Sequence, residues 1–288
     1  MGGDAAKAES IGGAISGGEA ISAARTACFS NPAKWDTFRA AMPHRTLTIE
    51  ELTSYLHLAR GDVERLLRES DLPHVVRGGR VTFQRGEIDA WASQRILGMP
   101  GKRLDVYHEK SMRGTREIFP GGALVPELLQ PGYIDLALAS KTRGSVLRDM
   151  VALADRTGRV LDPRDLLASV EEREALCSTA LPGGFALLHA RHHAPYRYEG
   201  SFIVLGRTVQ AVPFSAPDGR ATQLFFLICC QDDRIHLHTL ARIVLLAQKT
   251  HVIDQLLDAT DADAAHAALV AAERDVLPAP ADGETARE

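Results

Sequence analysis

Five of the chain's eleven histidines fall in two short stretches of its second half: His189, His192 and His193 in LLHARHH, and His236 and His238 in HLHTL. Imidazole titrates near neutral pH, and one ring nitrogen can be held by a hydrogen bond while the other acts as nucleophile, base or ligand. His189 has the most telling position. It closes GFALLH, a small and apolar run that follows a glycine pair and reads as a buried strand, so its ring emerges at a strand exit. The same five imidazoles can also be read as ligands for zinc or a related ion. No HExxH and no cysteine-rich spacing accompanies them, and the expectation is a site without metal or cofactor. Cys28, Cys177, Cys229 and Cys230 form neither a CxxC nor a secreted-type framework, which suits a reducing, cytoplasmic setting.

The elements that must carry these residues are legible around them. SKTRGSVLRDMVALADRTG sets Val146, Leu147, Met150, Val151 and Ala154 on one helical face, and Asp162 with Pro163 is an N-cap and first-turn pair for a helix DPRDLLASVEERE. GFALLH, SFIVL and QLFFLICC are short buried strands, and HLHTLARIVLLAQKT, VIDQLLDAT and ADAAHAALVAAERD return to helix. Interleaved helices and strands predict an α/β domain over residues 122–275, a mixed sheet flanked by helices, with a disordered tail at 276–288. Upstream, TIEELTSYL and DVERLLRES are short amphipathic helices, LPHVVRGGRVTFQ is a strand pair turned at Gly78 and Gly79, and RGEIDAWASQRIL is a closing helix. These make a small domain over 45–98. Residues 99–121 show no clear periodicity and read as a linker, and the Gly-, Ala- and Ser-rich residues 1–44 as a mobile arm.

Composition narrows the field. The chain has 288 residues, is 45% hydrophobic and carries a formal net charge of -4, so two domains fit and no global attraction to nucleic acid or acidic membranes follows. No run reaches the roughly 18 to 20 apolar residues that span a bilayer, and the opening segment lacks a secretory pattern, so a protein without membrane insertion is expected.

The stretch REALCSTALPGGFALLH, from Arg173 to His189, resembles the region around the phosphorylated histidine of enzyme IIA in the fructose, mannitol and nitrogen-regulatory branch of the bacterial phosphotransferase system. Arg173, Glu174, Ser178, Thr179, Gly184, Ala186 and His189 fall at matching positions without a gap. HLHTL places His236 about where that family has its second histidine. Cys177, Ala180 and Pro182 stand where the family commonly has glycine, and Leu188 where it has proline. The resemblance implies that His189 accepts the phosphoryl group, with Arg173, Thr179 and His236 as donors to its oxygens. It also implies the system's histidine phosphocarrier protein as donor, and enzyme IIB or a regulatory target as further partner.

Residues 46–97 resemble the excisionase-like branch of MerR-type winged helix-turn-helix modules, through LTIEELTSYL, DVERLLRES and DLPHVVRGGRVTFQRGEIDAW. By that likeness the second helix enters the major groove of duplex DNA, with Arg60, Arg65 and Arg68 facing bases and Arg77 and Arg80 approaching phosphates. Yet residues 45–97 hold eight Arg or Lys against eight Asp or Glu. A single copy has little counterion release to drive binding, and useful binding is expected only from a homodimer or beside another DNA-bound protein. Two functions stay open: a regulatory phosphocarrier that couples its state to DNA or a partner, and a transcription factor that keeps an unphosphorylated enzyme IIA fold as sensor or dimerisation domain.

Overall fold

A computed structural model of the protein describes residues 46–277, apart from 57, 70, 116–118, 120–121 and 193–194. The expected mobile arm at 1–44 and nearly all of the tail lie outside the described residues.

The helix-turn-helix module takes the predicted order. Strand β1 (Thr46–Leu47) precedes helices α1 (Ile49–Leu56) and α2 (Arg60–Arg68), then β2 (Val75–Arg77), β3 (Arg80–Gln84) and α3 (Arg85–Leu97). β2 and β3 pair antiparallel through a turn in which Gly78 and Gly79 have φ of 58° and 76°. Two successive left-handed residues make the tight turn that matches strand twist, and glycine adopts them without strain. β1 adds to the other edge of β3, giving the order β1-β3-β2. Leu52, Leu56, Val63, Leu66, Phe83, Ile88 and Ile96 form the module's buried interior.

The expected linker is largely a helix. Gly101–Thr115 forms α4, which packs on the long helix α8 (Asp233–Lys249). Its buried stripe is Leu104, Tyr107, His108, Ser111 and Thr115, spaced at three and four residues. Three of those five are polar, so the stripe does not register as an apolar period. α4 thereby joins the module to the rest of the chain in one continuous core.

That remainder is a five-stranded mixed sheet of order β4-β7-β8-β6-β5, built from β4 (Ile134–Leu138), β5 (Ala180–Leu181), β6 (Phe185–His189), β7 (Phe202–Val212) and β8 (Thr222–Cys229). β6 runs parallel to β8, β7 antiparallel to β8, and β4 parallel to β7. A short helix, α5 (Val125–Leu128), precedes β4. Strand residues alternate between two cores. Ala186, Leu188, Val204, Phe225 and Leu227 face α6 (Arg143–Asp155) and α7 (Pro163–Leu176). Leu187, Leu205, Phe226 and Ile228 face α8, α9 (Val252–Asp258), α10 (Ala262–Val276) and the module. Asp162 caps α7 as its sequence predicts, accepting from the Arg164 and Asp165 amides. Asp232 caps α8 in the same way, so that helix begins a turn earlier than its apolar pattern suggests and His236 lies in its first turn.

Candidate active site

His189 ends β6, and its Nδ1 lies 2.9 Å from the Leu187 carbonyl oxygen. A carbonyl only accepts, so Nδ1 carries the proton and the lone pair is on Nε2. That nitrogen accepts a hydrogen bond of 3.0 Å from Nε of Arg173, in the last turn of α7. Nη1 of Arg173 donates to the Cys177 carbonyl at 3.1 Å and approaches its Sγ at 3.4 Å. Nη2 is buried with no hydrogen-bond partner among the described residues. The His236 ring lies 4.8 Å from the His189 ring, centre to centre, at 52°. Two motifs 47 residues apart, at His189 and His236, thus converge with Arg173 on one point. All three are closed off from solvent: His189 is 2% exposed, Arg173 1% and His236 0%.

Thr179 sits beside this group, turned to Glu174. Its hydroxyl donates to Glu174 Oε2 at 2.7 Å, and its amide donates to the same oxygen at 3.1 Å. Glu174, itself buried, therefore clamps the 177–179 loop, with Arg143 at 3.9 Å. Burial pushes the Glu174 carboxyl up, against the Thr179 and Ser178 donors and the Arg143 charge. Glu174, Arg143 and Cys177 are structural members of the site to which sequence reading gave no role. Glu174 belongs to the Arg-Glu pair of the motif, which was the one signal available.

The helix-turn-helix module contacts residues next to this site. In α3, Gln94 Nε2 donates to Cys177 Sγ at 2.8 Å, and Arg85 pairs with Asp233. A Cβ added at Gly86 would stand 2.9 Å from His192 Nδ1. Of these three anchors, Cys177 is bonded to Arg173, and His192 and Asp233 lie three residues from His189 and His236 in sequence. Tyr55 braces Arg85, whose guanidinium stacks 5.2 Å from its ring, while the Tyr55 hydroxyl donates to Asp89.

His238 belongs elsewhere. Two helical residues beyond His236, it points to the opposite side of α8, accepting or donating at Nδ1 with Ser111 Oγ (2.7 Å) and stacking on His108 at 5.1 Å. His192 is exposed, and His193 lies outside the described residues. Among the described residues no three His, Cys, Asp or Glu side chains are grouped as a metal would need.

The expected DNA-facing arginines divide into two sets. Arg60 bridges Glu50 at 2.7 Å and Glu64 at 2.9 Å, and Arg65 pairs with Asp62 at 2.7 Å. Arg68, Arg77 and Arg80 are exposed with no ion pair among the described residues. Among the described residues no helix is long and apolar enough to cross a membrane.

Residues 46–96 match a helix-turn-helix domain family. The fructose-specific EIIABC component of the phosphotransferase system of Bacillus subtilis is 29% identical over 142 residues, which are 49% of this chain but only 22% of that protein. Two solved structures are similar to the same half. Nitrogen regulatory protein IIA-Ntr from Neisseria meningitidis has 25% identity and a TM-score of 0.47, covering 51% of this chain and 99% of that one. IIA mannitol from Escherichia coli has 20% identity and a TM-score of 0.43, covering 49% and 98%. Residues 127–271, just over half of the sequence and including the whole histidine site, match the EIIA 2 family model of the phosphoenolpyruvate-dependent sugar phosphotransferase system, and to that family the chain belongs.

Proposed function

We propose that this protein is a regulatory phosphocarrier that accepts a phosphoryl group on Nε2 of His189 and couples that state to the seating of its helix-turn-helix module. The observation that carries the reading is the pairing of a fixed lone pair with a spare cationic donor: Leu187 holds the proton on Nδ1, and Arg173 stands at Nε2 with Nη2 unused. In the step itself the Nε2 lone pair attacks phosphorus of a donor phosphohistidine. The donor's P–N bond breaks, its electron pair returns to the donor imidazole, and no proton leaves His189. Arg173 turns from nitrogen to phosphate oxygens, where a positioned donor stabilises the charge that develops. His236 borders the same space. The histidine phosphocarrier protein of the system is the natural donor, and an enzyme IIB or a regulatory target is the natural next partner.

The coupling follows from burial. A phosphoryl group and its donor protein cannot reach a ring that is 2% exposed while α3 is seated on Cys177, His192 and Asp233. Acceptance therefore requires the module to move, and the new charge disfavours its return. A released module can pair with a second copy on duplex DNA, where Arg68, Arg77 and Arg80 supply the uncompensated charge.

The test is incubation with the general phosphotransferase enzymes, the histidine phosphocarrier protein and phosphoenolpyruvate, read by intact mass. One acid-labile phosphoryl group on the wild type and none on His189→Ala is expected. The burial of His189 also favours the alternative, a transcription factor with an unphosphorylated sensor domain. No mass gain, even in a variant with the α3 contacts removed, would establish that reading instead.

A further inference from the structure

A pocket of about 550 Å³ opens between the helix-turn-helix module and α4, away from the histidine site. Its lining joins Leu56, Leu66, Trp91 and Ile96 of the module to Val106 of α4, which is 53% exposed. A volume of this size is in the ordinary range for an organic ligand. Charge gives the ligand its class. The lining holds five cations, Arg65, Arg95, Lys102, Arg103 and Lys110, against one acid, Asp62. Arg65 is paired with Asp62, and Arg95 with Asp71 while it stacks 5.1 Å over Trp91. Lys102, Arg103 and Lys110 are exposed and have no ion pair among the described residues. Three uncompensated cations around an apolar concavity focus a positive potential into it.

Tyr107 adds a buried polar group. It lines the same pocket at 8% exposure, and its hydroxyl is buried with no hydrogen-bond partner among the described residues. A buried hydroxyl left unpaired is unfavourable, and native structures satisfy such groups from protein, water or ligand.

We infer that this pocket is a binding site for a small amphipathic organic anion: an apolar or aromatic body against Leu56, Leu66, Ile96 and Trp91, a polar atom on Tyr107, and a carboxylate or phosphate among Lys102, Arg103 and Lys110. The site touches α2 through Leu66 and α3 through Trp91, so its occupant bears on the helices that read DNA and cover His189. The inference is independent of whether His189 is phosphorylated.

Trp91 makes the site readable, because the chain has only one other tryptophan, Trp35. In full-length Trp35→Phe protein, titration with the anionic fluorophore 8-anilinonaphthalene-1-sulfonate should give saturable, one-to-one energy transfer from Trp91 that weakens as salt rises. Octanoate and phenyl phosphate should compete, and their relative strength tells a carboxylate site from a phosphate site. Lys102→Gln with Lys110→Gln, both at exposed positions, should weaken binding by about tenfold or more, as expected for lost charge-assisted contacts. Tyr107→Phe, which keeps the ring and the packing, should weaken a hydrogen-bonding competitor but not the fold. Fluorophore binding that neither saturates nor responds to the lysine changes would overturn the inference as unspecific adsorption. Binding that emerges only after residues 1–44 are removed would also overturn it, by assigning the pocket to that segment.

Discussion

Helix α8 carries two histidines that look alike in sequence and stand in opposite situations. On one side His236 meets His189, with Arg173 Nε donating to the partner imidazole at 3.0 Å. On the other side His238 meets His108, with Arg242 Nε donating to that partner at 2.6 Å. Both are buried His-His-Arg groups. The difference is the counter-ion. Arg242 is paired with Glu273, whose carboxylate also takes the amides of Leu124 and Val125 at 2.8 Å, and Nη2 of Arg242 donates to the Gly122 carbonyl. Every direction of that guanidinium is used. Among the described residues Arg173 has no carboxylate partner, and Nη2 is unused. A saturated buried cation ties α4, α8 and α10 together, whereas Arg173 keeps a buried donor without a partner among the described residues, beside a fixed lone pair.

The comparison breaks most sharply at the acceptors. His189→Ala should abolish phosphoryl acceptance altogether. His108→Gln, whose amide oxygen can still receive Arg242, should retain it; an intact-mass time course of both variants decides. Equal loss in the two would mean that the groups are not chemically distinct.

Next in size is the arginine of the saturated group. Arg242→Ala leaves Glu273 buried at 1% exposure without its cation, and should cost about 3–5 kcal/mol in denaturant unfolding. Arg173→Ala strands no buried anion, because Glu174 is held by Thr179. It should slow phosphoryl transfer by roughly ten- to a thousandfold, as losing a transition-state donor does, with a much smaller effect on unfolding. If Arg173→Ala unfolds the protein as readily as Arg242→Ala, Arg173 is structural.

A smaller effect should come from the cover. Arg85→Ala removes the pair with Asp233, and Gln94→Ala the bond to Cys177. Together they should raise the rate of phosphoryl acceptance several-fold, the amount by which losing one or two modest polar contacts shifts a docking equilibrium. An unchanged rate would show that α3 does not limit access.

How much of this was readable beforehand follows the same divide. Asp162, the glycine turns and the buried strands were legible because caps and periodicity are local signals, and the convergence of Arg173, His189 and His236 was implied by the family resemblance. The separation of His236 from His238 was available in principle, since two helical residues turn about 200°. The role of α4 was not, because its buried face is made of His108, Ser111 and Thr115, polar residues matched only by partners far along the chain. The seating of α3 was equally hidden. It rests on Gln94 with Cys177 and Arg85 with Asp233, pairs that no single segment reveals.

The mildest test uses pH. Burial and the nearby Arg242 charge hold the His108 imidazole down to about 3, far below its ordinary 6.5. Folded protein therefore keeps His108 neutral where the unfolded chain protonates it. Its contribution is fully present above about pH 6.5 and is lost as pH falls from there toward 3. The slope from one such group is at most roughly 1.4 kcal/mol per pH unit. Glu174 runs the other way: its carboxyl is raised in the fold, so its penalty applies at neutral pH and lifts as the folded form takes up a proton. The wild-type curve sums both, and the difference between wild type and His108→Gln isolates the first. That difference, from denaturant titrations between pH 7 and pH 5, should shrink steadily as pH falls. A difference independent of pH would mean that His108 titrates alike in the folded and unfolded protein, and the contrast between a closed neutral pair and an open one would fail at its closed end.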